Sequence, residues 1–552
     1  STQAKTLFPY TTLFRSDDAG RLVKETTKTQ AGTTTLQMQF DGLNRVVQKQ
    51  VTHQGAGAST VASPLQTTRY LYDNAGRTTA ISQTIGANAN ANNTLVTRYE
   101  WDTRGRLVAK HLPRPWLASS SSGSGSGSAA TTDFFASSNA GISQLYSHDL
   151  LDQITQIQYR QTTSSSTNAS AGILIDQIDY TYDKAGQRIS RKQQNSPVVP
   201  ETPMQAQYNQ ANRLTQLTLY PNTAQAKTYV LDFDLEGNLI KKQNSTDTSC
   251  TQDCTEYLWD ANNRLAQLKI NGQTTAVYSY DAQGRRVEAS ISTVVNGSPQ
   301  TNTVQYIYEG NQAIGEVRNG QLSHSLLTGL FIDEHLARTA IATNGQVQSQ
   351  AQLTDALGSV IALANAQTSG INTSYSYSPY GQTQATGETS SNNQQYTGRE
   401  AGVEGEAGLY YYRARYYDPV LKRLISEDPI RLGGGLNVYA YVEGDPVSLS
   451  DPSGLLAFGD PLPQGLVDTV AGFGDGIFNV ITFGVGDLNE LRNIVGINGG
   501  VNTSCDAYTW ANYGGIVVGT VALGGAFRTA WRRGLELSFG RNWRIVPWGK
   551  QN

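Results

Sequence analysis

Two Asp-Pro-x-x-Leu segments are the part of this sequence with the clearest capacity for chemistry. They read DPIRL, Asp428–Leu432, and DPSGL, Asp451–Leu455, and eighteen residues separate them. Two carboxyl groups brought together in a water-poor pocket cannot both ionise, so they share one proton. One group then remains an acid that can polarise a carbonyl, while the other acts as a base for water.

A simpler interpretation is that both aspartates only form turns. Asp-Pro and Ser-Gly are ordinary turn formers, and Asp445 in GDPVSL is a third Asp-Pro for which a turn is the favoured interpretation. Directly after DPSGL the composition changes, because tyrosine becomes scarce and Gly-rich apolar segments take over. The choice between the two interpretations depends on the elements that position the aspartates.

A short repeated signature defines those elements. It consists of an aromatic residue, Asp, two variable residues, Gly or Asn, and usually Arg with an aliphatic residue. In a β-hairpin the aromatic ends one strand, the Asp side chain caps the turn, Gly or Asn takes the positive-φ position, and the Arg-aliphatic pair starts the next strand. The nine copies begin at Asp17, Phe40, Tyr72, Trp101, Tyr182, Tyr208, Phe233, Trp259 and Tyr280.

Composition supports an all-β fold. The 552 residues include 54 Gly and 29 Tyr, and segments such as TYVLDFDLEGNLIKKQ alternate apolar and polar residues, as strands with two different faces require. The net charge of −3 implies no polyelectrolyte partner, so we expect the repeat region to bind no nucleic acid. Cys250 and Cys254 are close enough to pair locally, and without a second pair or a nearby His they predict neither a metal nor another cofactor.

These residues resemble the YD repeats of the Rhs, teneurin and toxin-complex C-subunit superfamily. Later segments extend the resemblance through about Leu455: YIYEGNQAI, TDALGSVIALAN, YSYSPYGQT, YTGRE, and the core that starts at GLYYYRARYYDP and ends at DPSGL. The resemblance implies that the hairpins join into one long sheet, which winds as a spiral and closes into a hollow shell without exposed edges.

The same resemblance implies an activity for the two Asp-Pro segments. The family core is an aspartyl autoprotease, so Asp428 and Asp451 would be catalytic and the chain would be cut between Leu455 and Leu456. Arg415 stands where the family places a required arginine, which can hold the carboxylates or the peptide oxyanion. This sequence has Arg431 where Gly is more usual, and that long cation either perturbs the pair or points outward.

The resemblance also implies a domain order and partners. Residues 17–400 would form the shell, 401–455 the core, 456–527 a pre-toxin linker, and 528–552 the start of a truncated or very small toxin, within an α-rich or mixed Gly-rich end. The toxin would be the enclosed cargo, with a cognate immunity protein as partner. A delivery module missing upstream would direct the protein to a secretion apparatus, so the protein would be secreted or delivered to a target cell. A location at the cell surface is the alternative. No His follows residue 456, so a nuclease that relies on His is not complete there.

Two other functions fit parts of the sequence. A surface adhesin could use the repeat aromatics to contact carbohydrate, although an adhesin has no need to sever its tail. A membrane-active tail could insert its Gly-rich segments, although the longest nearly apolar run, 513–527, is shorter than the ~20 residues of a spanning helix.

Residues 1–16 are predicted to be an artefact, because TLFPYTTLFRS within them back-translates without mismatch to a common sequencing adapter.

Overall fold

The computed structural model is a β-protein. It describes residues 11–29, 32–55, 63–86, 94–112, 142–161, 172–193, 203–247, 249–295, 298–329, 332–342, 346–365, 370–402, 406–431, 435–455, 457–459, 535–538 and 544–547. The strands of the main sheet are β1 (Thr11–Ser16), β2 (Leu22–Thr29), β3 (Gly32–Phe40), β4 (Val46–Gly55), β5 (Ser63–Tyr72), β6 (Thr78–Ile85), β7 (Thr94–Trp101), β8 (Leu107–Leu112), β9 (Ile142–His148), β10 (Ile154–Gln161), β11 (Ile173–Tyr182), β12 (Arg188–Gln193), β13 (Met204–Tyr208), β14 (Leu214–Leu219), β15 (Lys227–Phe233), β16 (Leu239–Asn244), β17 (Cys254–Trp259), β18 (Leu265–Ile270), β19 (Gln273–Tyr280), β20 (Arg286–Val295), β21 (Ser298–Glu309), β22 (Gln312–Arg318), β23 (Gln321–Thr328), β24 (His335–Ile341), β25 (Val347–Thr354), β26 (Val360–Asn365), β27 (Gly370–Tyr377) and β28 (Thr383–Gly387).

Within the described residues the main sheet has 28 strands. From β1 to β21, and again from β22 to β28, each strand pairs antiparallel with the next one along the chain. Many of these pairs shift register at their last residue, beside the turn, as between Leu71 and Tyr72. A β-bulge of this kind increases local twist, so the repeat builds curvature into the sheet at regular intervals. The predicted all-β fold of hairpin repeats is confirmed.

The repeat turn is closed by its aspartate, as predicted. In the copy that begins at Tyr72, the Oδ1 of Asp73 accepts hydrogen bonds from the amides of Ala75 and Arg77, each at 2.9 Å. The Oδ2 accepts from Arg77 Nε at 2.7 Å. Gly76 has a φ of 85°, a left-handed conformation that Gly adopts without a steric cost.

The arginine of each turn also reaches the next turn. Arg77 Nη1 donates to the main-chain oxygen of Asp102 at 2.6 Å, and Arg45 Nη1 donates to that of Asp73 at 3.1 Å. Both guanidinium groups also lie over the aromatic ring of the following repeat, at 4.7 Å for Arg45 and Tyr72. The arginine therefore joins neighbouring hairpins, a role that its position in the signature does not reveal.

The repeat aromatics point back to the preceding repeat. Tyr72 Oη donates to the main-chain oxygen of Val46 at 2.7 Å, and Trp101 Nε1 donates to that of Thr78 at 2.8 Å. The acceptor is in each case the residue after the preceding turn's arginine. Tyr and Trp combine an apolar ring with a polar donor, and this geometry uses both. The same bond is made by Tyr182, Tyr208, Trp259, Tyr280 and Tyr308.

The turn occurs at positions that the signature did not identify. Asp149 closes HDLLDQ with the same two Oδ1 bonds, and Asp152 takes the positive-φ position at 64°. Asp355 closes the turn in DALGS in the same way. Both copies lack the aromatic and the arginine, and the first also lacks the glycine. Only the spacing of Asp and the following turn residue could have revealed them.

The segment after residue 400 packs against the sheet through alternating tyrosines. Short strands β29 (Glu400–Ala401), β30 (Tyr410–Tyr412), β31 (Arg415–Asp418) and β32 (Arg423–Leu424) form a second sheet, and Tyr396–Gly398 and Val442–Gly444 form 3₁₀ turns. Tyr410, Tyr412 and Tyr417 enter one apolar cluster with Ile154 and Ile157. Tyr411 and Tyr416 enter another cluster, with Leu214, Leu265 and other sheet residues. Successive side chains of a strand point to opposite sides, so this short sheet joins two parts of the core.

The remaining described segments are short. Leu449–Ser450 (β33) pairs with Phe458–Gly459 (β34), and Leu535–Ser538 (β35) pairs with Arg544–Pro547 (β36). Most of the predicted linker and toxin, residues 456–552, lies outside the described residues.

At the other end of the chain, Thr11–Ser16 pairs with β2. A sheet edge accepts any β-forming segment, so the predicted artefact at 1–16 remains a prediction. Cys250 and Cys254 form a disulfide with a Cα–Cα distance of 5.1 Å.

We expect Arg45→Ala to loosen two neighbouring turns. The change removes the bonds to Asp41 and Asp73 and the contact with Tyr72, together worth about 1–2 kcal/mol. Hydrogen exchange should therefore accelerate at the amides of residues 41–45 and 73–77. Lys184→Ala, at an exposed position of another turn, is the control. Equal exchange in the two variants would contradict a joining role for the arginine.

Candidate active site

The structure brings the three predicted site residues together. Arg415 begins β31, and Arg415, Asp428 and Asp451 are all buried, with 3–4% of their surface exposed. Arg415 Nη2 lies 2.9 Å from Asp428 Oδ2 and 3.5 Å from Asp451 Oδ2. One guanidinium nitrogen therefore faces both carboxylates, although 22 residues separate the two aspartates in sequence.

Both aspartates are also turn residues. Asp428 Oδ1 accepts a hydrogen bond from the amide of Ile430 at 3.0 Å, and Asp451 Oδ1 accepts one from the amide of Leu455 at 3.0 Å. In each side chain Oδ1 serves the turn, whereas Oδ2 faces Arg415. The turn and paired-carboxylate interpretations are therefore compatible, because the turn fixes the direction in which each Oδ2 points.

Arg415 also holds the main chain of both segments. Its Nε donates to the main-chain oxygen of Gly454, and its Nη1 donates to that of Val438 at 3.1 Å. The amide of Asp428 donates to the same Val438 oxygen at 3.0 Å. The guanidinium thus meets four acceptors in two peptide segments, which its planar set of donors can satisfy and a lysine cannot.

The DPSGL segment lies against the loop between β30 and β31. The amide of Ala414 donates to the main-chain oxygen of Ser453 at 3.2 Å, and Arg413 Nη1 donates to that of Pro452. Gly454 has a φ of 74°, and a Cβ there would lie 2.2 Å from the main-chain oxygen of Tyr412. Only glycine fits at this close approach, so the Gly of DPSGL positions the peptide that precedes Leu455.

The environment of Asp428 favours its protonated form. Burial and, to a smaller extent, the neighbouring Asp451 raise the pKa of Asp428 to about 6, against the lowering effects of Arg415 and the Ile430 amide. Burial also lowers the pKa of Arg415 from its usual value. Asp428 is therefore a group that can carry a proton near neutral pH, as an acid catalyst requires.

The other predicted positions are placed as follows. Leu455 is buried, whereas Leu456 and Leu432 lie outside the described residues. Arg431 is exposed, so its side chain points away from the pair. It has a φ of 53°, which explains in physical terms why Gly is the more usual residue there. Asp445 caps a turn through the Ser448 amide and lies 3.6 Å from His148 Nε2.

A second buried ionic group lies beside the site, and no local sequence pattern indicated it. Asp333 accepts from Arg399 Nη1 at 2.6 Å and from Arg413 Nη1 at 2.9 Å, and all three side chains are buried. The partners lie 66 and 80 residues away from Asp333 in sequence. Since Arg413 also binds Pro452, this group anchors the loop that holds DPSGL.

Within the described ranges, no group of three or more His, Cys, Asp or Glu side chains is arranged to hold a metal ion. The same part of the chain has no helix with the length and apolar character needed to cross a membrane.

Comparison with solved structures identifies the fold of the long sheet. No family model matches the chain. The TcdB2-TccC3-Cdc42 crystal structure matches 81% of this chain and 22% of that one, with a TM-score of 0.55 and 20% sequence identity. The long sheet therefore has the same fold as the matched part of that structure.

Sequence relatives agree with the fold. The chain is 27% identical over 289 residues to the tRNA3(Ser)-specific nuclease WapA of Bacillus spizizenii, covering 50% of this chain and 11% of the nuclease. It is 29% identical over 225 residues to toxin subunit YenC1 of Yersinia entomophaga, covering 36% and 22%. It is 53% identical over 51 residues to toxin protein Tse5 of Pseudomonas aeruginosa, covering 9% and 4%. The chain thus spans a tenth to a fifth of the longer matches.

The homologues of this chain are Rhs and toxin-complex proteins, and the predicted resemblance is confirmed. The names of these homologues support the interpretation that this chain is a fragment of a toxin.

Proposed function

We propose that this chain is a shell fragment of a polymorphic toxin that cuts itself after Leu455 and so disconnects a C-terminal effector. One observation carries the proposal: Asp428 and Asp451 direct their Oδ2 atoms at one arginine nitrogen, and Asp451 Oδ1 binds the Leu455 amide. Asp451 of the carboxyl pair is therefore hydrogen-bonded to the residue that precedes the proposed cut.

The proposed reaction is hydrolysis of the Leu455–Leu456 peptide bond. Asp451 acts as the base that takes a proton from water, and Asp428, protonated below about pH 6, polarises the Leu455 carbonyl. The water oxygen bonds to the carbonyl carbon, the carbon–nitrogen bond breaks, and the proton goes to the Leu456 nitrogen. Arg415 positions both carboxylates and, through the Gly454 oxygen, the peptide.

The biological role follows from release of cargo. Residues 456–552 would be held by the shell until cleavage removes the covalent tether that would hinder their exit. We propose an immunity protein as partner of the effector, and secretion or delivery to a target cell through a module outside this chain. The repeat aromatics are engaged by main-chain oxygens of the preceding repeat, so the structure offers no support for the adhesin alternative.

Intact mass of the purified 552-residue chain tests the proposal. The parent should give two fragments that end and begin at Leu455 and Leu456, while Asp451→Asn should give one unbroken chain. Asp445→Asn is the matched control, because Asp445 is a buried Asp-Pro aspartate that makes no contact with Arg415 among those described. An uncut parent, or a cut Asp451→Asn variant, would contradict the proposal.

Cleavage should slow as pH rises through about 6. The pKa of Asp428 is raised to about 6, so its acid form is present below that pH and decreases about tenfold per pH unit above it. Chain pulse-labelled in cell-free synthesis and shifted to buffers between pH 5.5 and 8 would give the rate of loss of the uncut band. A rate that rises over this range would show that Asp428 acts as a carboxylate instead.

A further inference from the structure

A pocket beside the carboxyl pair is also lined by a side chain of the main sheet. The pocket has a volume of about 220 Å³, which is room for several water molecules, and Arg415, Asp451 and Leu455 border it. Gln153 lines the same pocket, although it belongs to a hairpin turn far from these residues in sequence. The pocket therefore brings one sheet residue to the proposed base and the proposed cut.

Gln153 stands at the turn position that is arginine in most of the other repeats. In the preceding turn, Arg106 Nη1 donates to the main-chain oxygen of Asp149 at 3.2 Å. Gln153 Nε2 donates in the same way to the main-chain oxygen of Gly186, in the following turn, at 2.9 Å. The nitrogen of the amide therefore joins neighbouring turns as arginine does, and the amide adds an oxygen that arginine lacks.

That oxygen is an unused acceptor at the pocket. Gln153 is buried, with 5% of its surface exposed, and its Oε1 has no hydrogen-bond partner. Other acceptors in the described lining are engaged or solvated, because Asn437 Oδ1 accepts from the Tyr439 amide at 3.2 Å and Glu443 is exposed. A buried acceptor without a donor is costly, so we expect a donor to occupy the pocket at this oxygen.

Two glycines hold the Gln153 amide in place. A Cβ at Gly186 would lie 3.0 Å from Gln153 Nε2, and one at Gly444 would lie 3.2 Å from the same atom. Gly444 ends the 3₁₀ turn that begins at Val442, and Val442 itself lines the pocket. This packing and the bond to the Gly186 oxygen restrict the side chain, so its Oε1 is held in one direction before any reaction occurs.

We infer that Gln153 positions the water molecule that attacks the Leu455 carbonyl. The inference rests on the proposed cleavage and adds one positioning residue to it. Asp451 takes one hydrogen of the water as a proton, and Gln153 Oε1 accepts a hydrogen bond from the other. The second hydrogen stays on the oxygen, which becomes part of the new Leu455 carboxyl group. Two acceptors fix the direction of the oxygen lone pair, as attack on a carbonyl carbon requires.

Self-cleavage of Gln153 variants of the full chain tests the inference, with pulse-labelled chain over the same pH range. Gln153→Met retains the length of the side chain but has neither the acceptor nor the donor. It should slow the loss of the uncut band about 100-fold at every pH, without a shift of the profile, because no charge changes. Gln153→Glu retains an acceptor and should therefore be cut faster than Gln153→Met.

A role in joining turns alone gives the opposite order. Gln153→Glu would then be the more damaging change, because its carboxylate would face the Gly186 oxygen that Nε2 now binds. Urea unfolding in an Asp451→Asn background measures that damage separately from cleavage. If Gln153→Met does not fold, Gln153→Lys replaces it, since lysine keeps a donor for the Gly186 oxygen and has no acceptor.

Gln187→Met is the matched control. Gln187 holds the same position in the following turn and is buried with an unpartnered Oε1, but it does not border the pocket that contains Asp451. This variant should be cut at the parental rate. Parental cleavage of a folded Gln153→Met or Gln153→Lys variant, or equal slowing in Gln187→Met, would overturn the inference and leave the proposed cleavage intact. An uncut parent would overturn both.

Discussion

Replacement of Asp333 by asparagine is expected to cause the largest loss of stability of any single change considered. The carboxylate is shared by the buried guanidinium groups of Arg399 and Arg413, with distances of 2.5–2.9 Å. Asparagine retains the volume but removes the carboxylate charge that Arg399 and Arg413 share, although Arg399 keeps Glu400 as a second carboxylate partner at 3.1 Å. Breaking a buried ion pair from one side costs about 3–5 kcal/mol, so the denaturation midpoint should fall markedly.

The pH dependence of this loss has a defined sign. Arg399 and Arg413 lower the pKa of Asp333 below its usual value, against the effect of burial. The contribution of the ion pair is therefore complete above about pH 4 and is lost as pH falls through the lower folded-state pKa. Asp333→Asn should accordingly show its full penalty at neutral pH, measured by urea unfolding in an Asp451→Asn background that keeps the chain intact.

Asp232→Asn is the matched control for this experiment. Asp232 is exposed on β15, where removal of a charge should change the midpoint very little. If Asp333→Asn unfolds at the same urea concentration as Asp232→Asn, the buried group has no anchoring role. A second readout is local, since loss of the anchor should also speed hydrogen exchange around Arg413.

The repeat turns were accessible from the sequence because all their interactions are local. Asp, Gly or Asn, and Arg lie within five consecutive residues, and the side-chain bonds of Asp73 to Ala75 and Arg77 follow from that spacing. The copy at Asp149 escaped because its positive-φ residue is Asp152 and its arginine is replaced by Gln153. The turn tolerates both changes, since the Oδ1 bonds are made to main-chain amides.

The candidate site was predictable only in part. Asp428, Asp451 and Arg415 were identified by a resemblance, and the turn chemistry of Asp-Pro explains how each Oδ1 is used. Asp333 could not be found, because its partners are brought to it by the pairing of the whole sheet rather than by local spacing.

Replacement of Arg415 by glutamine or lysine is expected to reduce self-cleavage about 10²–10³-fold, the usual cost of removing a preorganised donor. Arg415 contacts Asp428, Asp451, Gly454 and Val438 through three different nitrogens. Lysine retains the positive charge near the carboxylates but has one nitrogen, so it cannot hold both the carboxylates and the two main-chain oxygens. Loss in the lysine variant would therefore measure positioning rather than charge.

The pH profiles of the two variants separate these roles. The positive charge of Arg415 lowers the pKa of Asp428, which burial and Asp451 raise to about 6. Glutamine removes that charge, so the pKa of Asp428 should rise and residual cleavage should persist to higher pH than in the parent. Lysine should leave the profile near that of the parent while reducing the rate at every pH.

A merely structural arginine would give a different result. Both variants would then lose stability, and any chain that did fold would be cut at the parental rate with the parental pH profile. Intact mass and urea unfolding of the same samples distinguish these outcomes. A shifted profile in Arg415→Gln alone would establish that this guanidinium sets the proton affinity of the pair, because no change in folding alters the pH at which a correctly folded fraction reacts.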